Sequence, residues 1–260
     1  KPARFATIAA GPAHGVASCR FLRMNPDNIR IVLVGTTHPG NIGSSARALK
    51  TMGLHRLLLV QPEAFPHPQA RANAAHALDV LERAEVHADL DSALAGAALV
   101  AGLTNRARRL GAPAIDLRSF ARLAVAESAR HPVALLFGRE HSGLSNQELD
   151  RCQYAVHIPA SPTSGSLNLA AAVQVVAYEL FMAAQEAPAP ERRCEPATFE
   201  HMERFYRHLA QVLDRVGYLH KRNPELLMRR LRAVFGRARP DKREINALQG
   251  ALRAIEAHLR

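Results

Sequence analysis

No stretch of this 260-residue chain approaches the roughly 18 consecutive apolar residues that a helix needs to cross a membrane. The longest apolar runs, Ile31–Val34 and Leu57–Val60, have the length of buried strands. Cysteine is scarce. Cys19, Cys152 and Cys194 lie far apart, which gives neither a metal-spaced set nor an even disulfide framework, and no metal is expected. Reduced thiols in a cytoplasmic protein are the expectation. Acids are also short, at 23 against 34 basic residues, for a formal charge of +11. Such an excess points to a polyanionic partner and says nothing about fold. Residues 1–23 hold no acid and no sustained apolar segment, so they do not read as a secretory signal. Their arginines and lack of acids have a weak likeness to an organellar transit peptide. With Met24 standing just before the first apolar run, residues 1–24 are expected to be a poorly ordered extension.

What is present is an ordinary globular composition, 48% hydrophobic and 22% charged, which excludes wholesale disorder, collagen-like repeats and a coiled-coil rod. Strand-like segments are expected at Asn28–Val34, Leu57–Val60, Ala98–Gly102, Val133–Gly138 and Ala155–Ile158. Between them, helices are expected at Ser44–Met52, Ala70–Leu81, Leu90–Leu94, Ser119–Ser128, Asn146–Cys152 and Leu167–Ala184. This alternation predicts an α/β fold with a mostly parallel sheet over residues 25–184. In such sheets ligands sit beyond the carboxyl ends of the strands. The loops there are Gly35–Ser45, Gly138–Leu144 and Pro159–Ser166.

Residues 185–197 are Pro-rich and charged, as a linker would be. Residues 198–260 show three amphipathic periods, at Thr198–Val216, Leu226–Phe235 and Ile245–Leu259, and predict a small helical appendage. Charge is unevenly shared, with +7 on residues 198–260 and +2 on residues 28–184. Arg229, Arg230, Arg232, Arg237, Arg239, Lys242 and Arg243 fall within fifteen positions and are the candidate RNA contacts. An isolated run of this kind would more often be a solvated helix face.

Three short motifs occupy the predicted loops. In Asn41-Ile42-Gly43-Ser44-Ser45-Ala46-Arg47, the glycines allow a close backbone approach and the helix beginning near Ser44 offers N–H groups to an anion. The Gly-Lys-Ser/Thr ending of a P-loop is missing and so is GxGxxG, and such a motif alone is more often just a capped helix with a solvated arginine. Phe137-Gly138-Arg139-Glu140-His141-Ser142-Gly143-Leu144 follows a strand, and its charged pair reads as a loop-ordering contact, a partner site or a plain surface ion pair. In Ser164-Gly165-Ser166-Leu167-Asn168-Leu169-Ala170, Asn168 is a polar residue at the head of an apolar helix, and a serine cap would explain the hydroxyls.

Each motif alone is weak, but their order and spacing resemble the three signature motifs of the SPOUT class of RNA methyltransferases over residues 28–184. NIRIVLV, GNIGSSARALKTMGL and VALLFGRE, with ERFYRHL and LRAVFGRARP in the last quarter, are most similar to the bacterial tRNA ribose 2′-O-methyltransferases of the TrmJ type. That resemblance implies a deep trefoil knot over Val133–Ala184, a homodimer, and S-adenosylmethionine as cofactor. It implies that Leu103, Thr104, Asn105, Gly138, Ile158, Gly165, Ser166 and Leu167 hold the cofactor. Gly138 would do so by admitting the adenosine close to the backbone. It assigns Arg47 to the ribose 2′-hydroxyl and to RNA, and Asn41, Glu140, Ser166 and Asn168 to the methyl-transfer pocket. The substrate implied is tRNA, at nucleotide 32 of the anticodon loop. Ribosomal RNA, a base rather than a ribose target, and a non-catalytic RNA-binding protein are the alternatives. The nearly uncharged Leu167–Phe181 helix has more apolar surface than one sheet face needs, which also suits a two-fold partner.

Overall fold

Seven parallel strands form one sheet, in the spatial order Glu85–His87, Arg56–Val60, Ile29–Val34, Val133–Phe137, Leu99–Leu103, Tyr154–His157 and Ala114–Asp116. A computed structural model describes residues 24–105, 112–161, 167–186, 195–219 and 223–259. The predicted extension therefore lies almost wholly outside the described residues, as do Arg106, Arg108, Arg109, Gly165 and Ser166. The strands are β1 (Ile29–Val34), β2 (Arg56–Val60), β3 (Glu85–His87), β4 (Leu99–Leu103), β5 (Ala114–Asp116), β6 (Val133–Phe137) and β7 (Tyr154–His157). The helices are α1 (Pro39–Thr51), α2 (Pro68–Ala74), α3 (Leu78–Glu82), α4 (Leu90–Leu94), α5 (Leu117–Ser128), α6 (Asn146–Leu149), α7 (Leu169–Gln185), α8 (Phe199–Arg215), α9 (Pro224–Ala238) and α10 (Lys242–His258).

The central strands are near-continuous apolar runs because both sheet faces are covered. Side chains alternate between the faces. Ile29, Ile31, Leu33, Leu57, Leu59, Leu135 and Phe137 enter the larger core, with residues of α1, α2, α5 and α7. Val32, Val34, Leu58, Val60, Val100 and Leu136 enter the smaller one, with residues of α4 and α6 and Phe199 of α8. The register sets Ile31 level with Leu57 on one side and with Leu135 on the other.

The structure departs from the sequence expectations in three places. Helix α1 starts at Pro39 rather than near Ser44, so Asn41 and Gly43 are helical; the rigid φ of Pro39 suits the first helical position. The helix expected over Ala70–Leu81 is two, separated by a 3-10 turn at Ala75–Ala77, with Ala75 at φ +50°. Strands β3 and β5 have three residues each with mixed exposure, too short to show a period.

The late strands are inserted into the sheet. β6 lies between β1 and β4, and β7 lies between β4 and β5. The segments that follow β4, β6 and β7 therefore emerge side by side at the carboxyl edge.

Helices α8, α9 and α10 share a core of Met202, Phe205, Tyr206, Val212, Ile245 and Leu252, with Phe235 edge-on to Phe205 at 4.8 Å. This group sits at the other, amino edge of the sheet. Phe199 N–H donates to the Ala97 carbonyl just before β4 (2.7 Å). Gly236 faces the backbone of Gln153 just before β7.

Candidate active site

The cleft lies at the carboxyl edge, where topology placed it. It encloses about 190 Å³. Leu103, Thr104, Asn105, Gly138, Ile158 and Leu167 line it. These are the sequence-predicted cofactor residues that are described. Phe137, Leu144 and Leu169 add apolar wall, and Arg139, Glu140 and His141 add a polar rim.

The two motif glycines also have packing roles that the sequence did not show. A Cβ on Gly138 would stand 2.1 Å from the Gly143 carbonyl carbon and 2.2 Å from the Leu144 nitrogen. Gly138 is thus required by its own loop, which folds back through a Gly143 N–H to Arg139 C=O bond of 2.8 Å, with Gly143 at φ +69°. A Cβ on Gly43 would lie 2.0 Å from the Ala70 carbonyl oxygen. That glycine serves the packing of α1 on α2 rather than access for an anion.

Glu140 is the organising residue. Its carboxylate accepts from Thr37 N–H (3.1 Å), Thr37 Oγ1 (3.0 Å), His38 N–H (3.3 Å) and Asn41 Nδ2 (2.9 Å). Asn41 Oδ1 in turn accepts from Asn168 Nδ2 at 3.1 Å. Asn168 Oδ1 caps α7 by accepting from the N–H groups of Ala170 and Ala171. The amide orientations follow from chemistry, since an ionised carboxylate can only accept. Asn41 must then present its NH₂ to Glu140 and its oxygen to Asn168. One chain of hydrogen bonds thus joins the three motifs. Partial burial opposes ionisation of Glu140, but the bonds from Asn41, Thr37 and His38 outweigh it and hold the carboxyl at about 2.

Thr37 and His38 are parts of the site that pattern reasoning missed; a Thr-Thr-His run has no distinctive period. Arg139, left open by the sequence, is an anchor. It forms a forked pair with Glu148 (3.0 and 3.3 Å), and Glu148 also closes the capping box of α6 with Ser145. Gly35, at φ +59°, makes room for the Arg139 side chain.

Arg47 does not line the cleft. It is exposed on α1, six residues past Asn41, and makes no side-chain hydrogen bond or ion pair among the described residues. Cys152 is buried, which pushes its thiol far up and leaves it inert.

The basic residues of the last quarter divide. Arg229 pairs with Asp150 at 2.9 Å, Arg239 with Glu127 at 2.5 Å, and Arg232 with Glu203 while lying over the Tyr206 ring. These three hold the fold together, which corrects their expected place on an open RNA surface. Lys242 stands 3.7 Å from Glu195. Arg230, Arg237 and Arg243 are exposed and make no ion pair with described residues.

No helix among the described residues is long and apolar enough to cross a membrane. The model of the SpoU rRNA Methylase family matches residues 28–178, and that of the tRNA methyltransferase TrmJ C-terminal domain matches residues 200–260. The tRNA (cytidine/uridine-2′-O-)-methyltransferase TrmJ of Sodalis glossinidius is 49% identical, over 88% of this chain and 91% of that one. The tRNA (cytidine/uridine/adenosine-2′-O-)-methyltransferase TrmJ of Pseudomonas aeruginosa is 47% identical, over 87% and 93%. The crystal structure of TrmJ from Z. mobilis ZM4 superposes with a TM-score of 0.76 at 32% identity, covering 87% of this chain and 98% of that chain. The chain therefore belongs to the SpoU methylase family, and within it to the TrmJ tRNA methyltransferases.

Proposed function

We propose that the protein transfers a methyl group from S-adenosylmethionine to a ribose 2′-hydroxyl of tRNA, at nucleotide 32 (C or U) of the anticodon loop, as a cytoplasmic homodimer with a knotted catalytic domain. The observation that carries this reading is the cleft at the carboxyl ends of β4, β6 and β7, with its rim tied by Glu140, Asn41 and Asn168.

The residues present fit a nucleoside cofactor. Leu103, Ile158 and Leu167 offer apolar walls to a flat base, and Thr104 and Asn105 offer polar groups beside them. Gly165 and Ser166 carry the remaining contacts in this proposal. The sulfonium would supply an electrophilic methyl group. The chain's own part is to place the ribose oxygen in line with it and to stabilise charge growing on that oxygen.

A carboxyl held at about 2 is too weak a base to take a proton from a ribose hydroxyl. Glu140 is therefore a positioning residue, holding Asn41 and the 36–38 segment in place. Arg47 stays charged at neutral pH and is no free base either. Its role is to steady negative charge on the 2′-oxygen or to grip the neighbouring phosphate. Ala171, Val175, Tyr178 and Met182 follow one another by four, three and four residues along α7; Tyr178 and Met182 remain 47% and 39% exposed. That stripe is the two-fold contact we propose. A second copy seated there lies beside α1, which packs on α7 and carries Arg47.

The match of residues 200–260 to the tRNA methyltransferase domain favours tRNA over ribosomal RNA. The test is mass mapping of ribose methylation in tRNA from cells lacking the protein. Loss of the 2′-O-methyl group at nucleotide 32, restored by the wild-type gene and not by Arg47→Ala, is expected. An unchanged tRNA pattern overturns the proposal.

A further inference from the structure

The loop from Gly138 to Leu144 forms one wall of the cleft, and two neighbouring side chains tie it to different elements. Glu140 reaches Thr37, His38 and Asn41. Arg139 reaches α6 instead. Its Nη1 donates to both carboxylate oxygens of Glu148, at 3.0 and 3.3 Å, which centres the guanidinium on that carboxylate. The two side chains are 33% and 14% exposed, so water competes weakly for this contact. A Cβ on Gly35 would stand 2.7 Å from Arg139 Nε, so the arginine lies against the backbone two residues before Thr37.

Helix α6 is a firm anchor although it has only four residues. A helix so short has almost no stability alone. Here Leu149 is 5% exposed and packs over Gly102, where a Cβ would meet its Cδ2 at 2.5 Å. Arg151 pairs with Asp91 at 2.8 Å, and Asp150 with Arg229 at 2.9 Å. Glu148 has two separable duties on this helix. Its Oε2 accepts from Ser145 N–H at 2.7 Å while Ser145 Oγ accepts from Glu148 N–H at 3.2 Å, which is the cap. Glutamine serves such a cap as well as glutamate does. The negative charge at 148 is therefore spent on Arg139, and Glu148 itself does not line the cleft.

We infer that Glu148 is a positioning residue for the cofactor. Through Arg139 it holds the wall from Gly138 to Leu144 in the shape that admits S-adenosylmethionine, and it sets cofactor affinity without touching the cofactor. This rests on the proposed function and deepens it with a residue outside the cleft.

The experiment is calorimetry of S-adenosylhomocysteine binding to the full-length protein and four variants. Glu148→Gln keeps a carbonyl for Ser145 N–H and loses the charge that holds Arg139. Its Kd should rise about fivefold or more, the worth of one hydrogen bond between charged groups, with the melting temperature close to that of wild type. Arg139→Ala should raise Kd at least as much. Adding Glu148→Gln to Arg139→Ala should change nothing further, because Glu148 acts through that arginine. Ser145→Ala removes a cap bond alone, so its melting temperature should fall while its Kd holds. In turnover with saturating tRNA, Glu148→Gln should raise KM for S-adenosylmethionine by the same factor and keep kcat within about twofold. An unchanged Kd in Glu148→Gln would overturn the inference and leave the proposed function standing. Equal rises in Glu148→Gln and Ser145→Ala, or additive losses in the double variant, would do the same. Wild-type protein that binds no S-adenosylhomocysteine would overturn the proposed function, and the inference with it, before any variant is compared.

Discussion

Asn168 does two jobs with one side chain, and a single atom separates them. Its oxygen caps α7, while its nitrogen donates to Asn41. Asn168→Asp keeps the capping oxygen and sets an acceptor against the Asn41 oxygen. Methyl transfer should fall by at least about tenfold, roughly the worth of one hydrogen bond to a charged network, with little change in melting temperature. Asn168→Ala should lose the cap as well, about 1 kcal/mol, read by urea denaturation. Glu140 makes a pH-dependent prediction. Its folded carboxyl sits at about 2, below the usual 4.5, so its stabilisation is present above about pH 4.5 and is lost as pH falls towards 2. Wild type should exceed Glu140→Gln in unfolding free energy by about 1–2 kcal/mol at pH 6, after solvent screening. The gap should close by pH 2–3, and a gap constant with pH would remove the ionised carboxylate from the account.

Among the elements, the contact of α1 with α2 has the least tolerance. A Cβ on Gly43 would meet the backbone oxygen of Ala70 at 2.0 Å, and backbone cannot turn aside as a side chain can. Gly43→Ala should cost about 3 kcal/mol, at the upper end of ordinary overpacking, measured by chemical denaturation. The sequence could show that a glycine stood in a loop-to-helix motif. It could not show that the helix already enclosed it, because the start at Pro39 moved the whole motif inside. Long apolar strands and strongly amphipathic helices were legible, since their periods repeat several times. The breaks at Ala75 and the three-residue edge strands were not, because they depend on packing between segments distant in sequence. The cleft was legible for a topological reason, as strand carboxyl ends converge whatever side chains they carry. The Glu140–Asn41–Asn168 chain was half legible. The motifs supplied its members, and only the structure supplied their bonds. The basic cluster was legible only as a cluster, because nearness in sequence ignores helical phase: Arg229, Arg232 and Arg239 turn to acidic partners in the fold, and Arg230 and Arg237 turn to solvent.

For the molecule as a whole, the attachment of the helical group depends on Arg239 and Glu127, each 7% exposed at the side chain and 112 residues apart in sequence. A lone buried charge is costly, so removing one partner should cost about 3–5 kcal/mol, whereas replacing both should cost much less. Arg239→Met should lower the melting temperature and speed proteolysis between the catalytic domain and α8. The double variant Arg239→Met, Glu127→Leu should recover most of both. Equal losses in the single and double variants would show that the pair acts only through neighbouring contacts.

The order of strands also sets the timetable of folding. β1 can pair with β2 as soon as about sixty residues exist, but its other neighbour, β6, begins at Val133. β4, complete at Leu103, gains its other neighbour β7 last, from Tyr154 onward. A nascent chain therefore carries the apolar flank of β1 uncovered over roughly seventy further residues of synthesis, several seconds at 5–20 residues per second. Pairings so distant in sequence are slow to form because their loops must close first. The walls of the cleft are the last part of the sheet to become neighbours, so a chain interrupted before β7 holds the motif of α1 and no pocket to serve.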